Sequence, residues 1–163
     1  MIKKISITLA MLFVLTGCTS KQLISKADQE SAFIIIKTPT MKYADMGFIY
    51  KSDALVKIEI YSMGQPLIKF DINAMNVCMS TFECMEKKEF NAKMLHASYP
   101  ETLLENIFKA QPIFNQEGLT KSADGFSQKI QKDNQYNITY SIVGKKRTFR
   151  DTINKIVIKV KPQ

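Results

Sequence analysis

Between residues 56 and 72 the chain alternates apolar and polar side chains. Val56, Ile58 and Ile60 alternate with Lys57, Glu59 and Tyr61; beyond Met63-Gly64-Gln65-Pro66, Ile68, Phe70 and Ile72 alternate with Lys69 and Asp71. A period of two sets one face of a strand against a core and the other in water. Two such runs around a Gly make an antiparallel hairpin. The same period returns near the end of the chain. Phe126, Gln128 and Ile130 alternate with polar neighbours, Tyr136, Ile138, Tyr140 and Ile142 alternate with Asn137, Thr139 and Ser141, and Ile156, Ile158 and Val160 close the series with Lys155, Lys159 and Lys161 outward. Upstream, the β-branched run Phe33 to Ile36 reads as a strand ended by Pro39, and Gly47 to Tyr50 as a shorter one.

The middle differs. Phe90 and Met94 lie four apart within 86–95, a helical spacing. Pro100-Glu101-Thr102 opens a second helix, because Pro suits a first turn and Glu complements the N-terminal dipole. Leu103, Leu104, Ile107 and Phe108 form its apolar face, and Pro112 stops it. Ile113 and Phe114 then fall in a loop, where their apolar bulk is expected to be exposed. Strands, one or two helices, then strands predict an α+β fold with an antiparallel sheet. No helix separates successive strands, which argues against a parallel doubly wound sheet.

The N-terminus carries a different signal. Met1-Ile2-Lys3-Lys4 is basic, and Ile5 to Leu15 is apolar apart from Ser6 and Thr8. That run is too short to span a bilayer, which takes about 20 residues. It ends in Leu15-Thr16-Gly17-Cys18, which resembles the lipobox of bacterial lipoproteins. The resemblance implies removal of a signal peptide, 1–17, and a diacylglycerol and an N-acyl group on Cys18; an ordinary signal peptide that happens to contain Cys is the plainer alternative. Two or more acyl chains hold a protein stably on a membrane. By the sorting pattern of enterobacterial lipoproteins, Thr19 after the cysteine directs it to the outer membrane, with the body in the periplasm. The polar stretch 18–31 is expected to be a lipidated tether and 32–163 a single domain.

Removing Lys3 and Lys4 with the leader lowers the formal charge from +8 to +6. That charge suits solubility near an anionic surface, contact with lipid headgroups, or an acidic partner. Lys145-Lys146-Arg147, after Gly144, is the one basic triplet, too sparse and lacking the aromatic interleaving for nucleic acid. Cys78 and Cys84, with five residues between them, are expected to form a disulfide in an oxidising compartment, closing a loop at the sheet edge; free thiols or a redox pair are the alternatives, but the spacing lacks the C-x-x-C geometry that lowers a thiol pKa. The lone His96 leaves too few ligands for a metal and no nucleophile motif to serve. Asp45, Asp71 and Asp124 sit where Asp is ordinary, at strand ends and turns. A non-enzyme without cofactor or metal is expected.

Beyond the expected cleavage point the chain keeps seven of its nine Met and nine of its ten Phe. These soft side chains either fill an ordinary core or line a cavity under the helices, walled by residues such as Ile58, Ile60, Phe70, Phe90, Leu104 and Phe108. With its lipobox, the strand–turn–strand Val56 to Ile72, the helix Pro100 to Ala110 followed by Gln111-Pro112, and the last strand Lys155 to Val160, the chain resembles the LolA/LolB type of periplasmic lipoprotein-binding proteins. The stretches Tyr43 to Tyr50, Tyr61 to Gly64 and Ala123 to Phe126 also resemble outer-membrane lipoproteins of Campylobacter- and Helicobacter-like bacteria. The LolA/LolB resemblance implies a curved antiparallel sheet, an incomplete barrel capped by helices, that holds lipid or lipoprotein acyl chains. It also implies an exposed apolar loop residue for membrane insertion, as in the outer-membrane member. The alternative is a structural or assembly lipoprotein acting on envelope proteins through protein contacts.

Overall fold

The computed structural model describes residues 28–79 and 83–163. The leader 1–17, Cys18 and most of the expected tether lie outside the described residues. Eleven strands form one antiparallel sheet in the order β6-β5-β4-β3-β2-β1-β11-β10-β9-β8-β7. They are β1 (Asp28–Lys37), β2 (Lys42–Lys51), β3 (Val56–Ser62), β4 (Gln65–Ile72), β5 (Asn76–Cys78), β6 (Cys84–Glu86), β7 (Leu119–Ser122), β8 (Gly125–Lys132), β9 (Tyr136–Val143), β10 (Lys146–Asp151) and β11 (Ile156–Pro162). The sheet is not closed: β6 and β7 are its two edges. Two short helices, α1 (Lys87–Met94) and α2 (Leu103–Lys109), interrupt the strands between β6 and β7.

The register follows the alternation. Val56 faces Ile72, Ile58 faces Phe70 and Ile60 faces Ile68, so all six apolar side chains share one face. The same parity in β1 (Ala32, Ile34, Ile36), β11 (Ile156, Ile158, Val160) and β9 (Ile138, Tyr140, Ile142) carries that face across the sheet. Among the described residues the first and last strands, β1 and β11, pair at the centre of the sheet and join its two halves into one continuous surface.

The sheet curls around its apolar face. Helix α2 touches both β3 and β10, which are separated in the sheet by β2, β1 and β11. Measured along the sheet that separation is about 19 Å, whereas a helix with its side chains is about 10–12 Å across. A flat sheet could not place both strands against one helix. At Gly47 in β2 a Cβ would lie 2.2 Å from the Glu59 carbonyl oxygen and 3.0 Å from Ile34 Cδ1; a strand glycine there permits the close approach.

Both helices turn their expected faces inward. Leu103, Leu104, Ile107 and Phe108 are buried, as is Phe90, with Met94 half-buried against them. Helix α2 begins at Leu103, and Pro100 instead closes a turn in which its carbonyl accepts the Leu103 N–H at 2.9 Å. Asn91 donates to the carbonyls of Tyr99 (3.3 Å) and Pro100 (3.0 Å), and Lys87 Nζ meets Glu105 Oε2 at 2.8 Å, tying α1 to α2.

Besides the start of α2, three features differ from those expected. Residues 28–31, assigned to the tether, are the start of β1; Glu30 keeps the inward parity of Ala32 and is held by Arg147, which polar composition alone does not reveal. Short strands β5, β6 and β7 extend both edges. Ile113 is not exposed but fully buried, and Phe114 packs on Tyr99 and Tyr136. The Gln128 side chain explains this: its Oε1 accepts from Ile113 N–H at 2.8 Å, and its Nε2 donates to the carbonyls of Ile113 (2.9 Å) and Glu117 (2.8 Å).

Candidate functional site

The six residues named as walls of a cavity come together. Ile58, Ile60 and Phe70 from β3 and β4, Phe90 from α1, and Leu104 and Phe108 from α2 are each at most 4% exposed and belong to one apolar cluster. Phe70 and Phe90 meet edge to face with centroids 6.2 Å apart. Strand parity aims the first three off the sheet, and the i, i+4 spacing of Leu104 and Phe108 aims both back at it. Each phenylalanine buried in this way contributes about 2–3 kcal/mol. Tyr140 lies in the same interior. Its hydroxyl is buried without a hydrogen-bond partner among the described residues, and burial pushes its pKa up. An unpaired buried hydroxyl costs about 1–3 kcal/mol, so it marks the place in the apolar interior where an acceptor group gains most.

One end of the concave face is polar. Glu30 Oε2 receives Arg147 Nη2 at 2.6 Å and Lys51 Nζ at 3.1 Å, and Lys51 also pairs with Asp28 at 3.0 Å. Burial acts to raise the Glu30 pKa, but the bonds from Arg147 and Lys51 outweigh it and hold the carboxyl below its ordinary range. Glu30 Oε1 and Arg147 Nε and Nη1 are buried without hydrogen-bond partners among the described residues. These side chains border a cavity of about 310 Å³ lined also by Ser31, Lys145 and Gln163. In the sequence Arg147 reads as part of a basic turn. Its parity with Phe149 in β10 turns it inward, and alternation within 146–151 was the signal that could have found it.

A second buried polar cluster joins the helical segment to the other end of β10. Tyr99 Oη donates to Asp151 Oδ2, and Asn154 Nδ2 donates to the same oxygen at 2.8 Å and to the Gln135 carbonyl at 2.7 Å. Asp151 Oδ1 accepts from the N–H groups of Asn137 (3.1 Å) and Ile153 (2.9 Å). Burial would raise the Asp151 pKa; the bond from Tyr99 and the backbone donors more than offset it and lower it. Burial, joined by that bond, raises the Tyr99 pKa. Neither residue stood out in the sequence.

The expected carboxylates have modest roles. Asp45 Oδ1 accepts from the Met46 N–H at 2.8 Å, Asp71 pairs with Lys69 at 2.7 Å, and Asp124 is exposed in the β7–β8 turn. His96 Nδ1 and Ser98 Oγ share a hydrogen bond at 2.7 Å. Among the described residues no group of three His, Cys, Asp or Glu side chains is placed to hold a metal ion, and no helix is long and apolar enough to cross a membrane.

Cys78 and Cys84 face each other across the β5–β6 pair and form a disulfide. A loop of this size contributes roughly 2–3 kcal/mol in the chain-entropy account. The methionines divide. Met41 is in the core, and Met79, Met85 and Met94 pack on it. Met46, Met63 and Met75 are exposed, contrary to the expectation that methionine serves the interior. Met63 is the most exposed, at 101%, and Leu67 follows it in the same hairpin at 51%. Met63 and Gly64 both have positive φ (50° and 77°), the pattern of a two-residue type I′ turn. Asn or Gly usually occupies the first position, so a left-handed methionine there is strained as well as exposed.

The chain matches no protein-family model and no curated protein.

Proposed function

We propose that this protein is a lipid-anchored, non-enzymatic outer-membrane protein whose body, in the periplasm, holds lipid or the acyl chains of lipoproteins, in the manner of LolB. The observation that carries this reading is the open eleven-stranded antiparallel sheet curled around one apolar interior, with α1 and α2 packed on its concave side. An open sheet can admit a long apolar ligand by small movements of the helices. A closed barrel of the same size could not widen in that way. The anchor follows from the Leu15-Thr16-Gly17-Cys18 resemblance, with covalent diacylglycerol and an N-acyl group on Cys18 and no other cofactor.

Two features fit such a role. The Tyr140 hydroxyl offers a hydrogen bond inside the apolar interior, where an ester carbonyl could accept it. The strained, exposed Met63 with Leu67 gives an apolar tip that could touch a bilayer, the role the resemblance gives to an exposed apolar loop residue.

Native mass spectrometry of the purified protein tests the reading. A retained or added phospholipid or diacylated peptide is expected on the body, with binding weakened several-fold by Leu104→Asp. Failure to retain any acyl ligand counts against it. Tyr140→Phe separates the two uses of the interior. In the ligand-free protein it should raise stability by about 1 kcal/mol by removing an unpaired hydroxyl, and in the ligand-binding assay it should weaken ester-linked acyl chains. A gain in stability with unchanged binding points to a filled core.

A further inference from the structure

On the convex face, the strands differ sharply in charge. The outward positions of β1 and of β8 to β11 carry Lys37, Lys129, Lys146, Arg150, Lys159 and Lys161, and no Asp or Glu. None of these six cations is in an ion pair among the described residues. The outward positions of β2 to β6 carry Lys42, Lys57 and Lys69 with Glu59, Asp71 and Glu86, and there Lys57 and Lys69 are paired at 2.6 and 2.7 Å. One half of the convex surface is therefore neutral and the other uniformly positive.

The positive half also has a place for an anion. Lys37 and Arg150 both lie in register with Val157, one on either side, so their backbones are about 10 Å apart. Between them is a depression of about 360 Å³, bordered by Lys155, Thr152 and Asp151 as well. The Asp151 carboxylate, which also borders the depression, is hydrogen-bonded on the buried side by Tyr99, Asn154 and backbone N–H groups and forms no ion pair with the three cations among the described residues, so one negative charge stands beside three positive ones.

We infer that this convex face of β1, β11 and β10 docks an acidic surface of a protein partner, one carboxylate of which enters the depression between Lys37, Arg150 and Lys155. The residues between the cations favour a protein over a bilayer. On β1, β11 and β10 they are Gln29, Ser31, Phe33, Ile35, Thr148 and Val157, the apolar ones only half-exposed, whereas faces that lie on membranes add fully exposed apolar side chains to their cations. Most of the large exposed apolar residues, Met46, Met63, Leu67 and Met75, are on the other half. A convex sheet also touches a flat membrane along its crest alone, while a complementary acidic protein surface can reach the five cations on β1, β11 and β10. The inference does not depend on acyl binding.

Fluorescent poly-L-glutamate serves as the probe, with the full-length chain carrying Cys18→Ala so that acylation cannot hold it to vesicles. The triple change Lys37→Glu, Arg150→Glu, Lys159→Glu is compared with Lys88→Glu, Lys121→Glu, Lys132→Glu, which alters net charge equally at exposed sites off this face. The first set should weaken binding at least tenfold and the second less than twofold, with the wild-type affinity falling as salt rises. Equal losses in the two sets, or none in either, overturn the inference, as does tighter binding to phosphatidylglycerol vesicles that the first set abolishes. Circular dichroism melts of each variant confirm that folded proteins are being compared.

Discussion

The two wings of the sheet, β2 to β6 on one side of β1 and β7 to β11 on the other, share one apolar interior but are secured by different means. The first wing is held by packing and a covalent link: Phe70 against Phe90, the α1 contacts with β5 and β6, and the Cys78–Cys84 bridge near the edge. The second has its own ring contacts, Tyr99 and Tyr140 on Phe149 among them, and adds buried hydrogen bonds that the first, among the described residues, lacks in its strands: Gln128 to the loop after α2, and Asp151 to Tyr99 and Asn154. Their outer faces differ too, the first neutral with exposed methionines and the second basic. Apolar contacts tolerate sliding and small changes of shape, whereas a buried polar network has one satisfied arrangement. Under the proposed acyl-binding function, the first wing and α1 are the parts expected to give way, with β8 to β11 as the more rigid frame.

The largest effect should come from the packed wing. Phe70→Ala removes a side chain that is 1% exposed, and should cost about 4 kcal/mol, read by urea denaturation; amide exchange should speed most in α1. A uniform increase across both wings would break the proposed division.

Asp151→Ala should cost about 3 kcal/mol at neutral pH, since it strands Tyr99 Oη and backbone donors. The sign with pH follows from the lowered pKa. The folded state keeps Asp151 charged below the ordinary value of 3.8, so its contribution is complete above that value and is lost as pH falls through the lowered one. Melts from pH 7 to pH 2 should show the gap between wild type and variant closing at the acid end; a gap constant with pH would remove the charge from the account.

Reducing the disulfide, or replacing Cys78 and Cys84 by Ala, should lower stability by about 2–3 kcal/mol. Loosening should be confined to β5, β6 and α1, as measured by amide exchange. The smallest change is of opposite sign. Met63→Asn places the favoured residue at the left-handed position and should raise stability by about 0.5–1 kcal/mol, while reducing association with vesicles. Loss of stability there would mean that Met63 packs in a way its exposure does not suggest.

Much of this architecture was legible because alternation is a local property. Val56 to Ile72 and Tyr136 to Ile142 announce strands and their inward faces without reference to the rest of the chain, and Leu103 to Phe108 announces a buried helix face. The six interior residues were legible for the same reason. Gln128, Tyr99, Asp151 and Glu30 were not. Each is an unremarkable polar residue locally, and each acquires its role from a partner far along the chain, as with Glu30 and Arg147. Ile113 looked exposed because the side chain that anchors its backbone belongs to β8.

The sequence by itself determined where most of the long strands lie and which of their apolar side chains turn inward, because a two-residue period needs no knowledge of neighbours; the short edge strands β5, β6 and β7 and the inward turn of Arg147 in β10 became evident only in the structure. Only the tertiary structure decided the order of the strands, the curl that brings β3 and β10 against one helix, and the gathering of six cations on half of the outer face. Those depend on which strands lie side by side, and pairing between residues a hundred positions apart is settled by the burial of the whole apolar face at once.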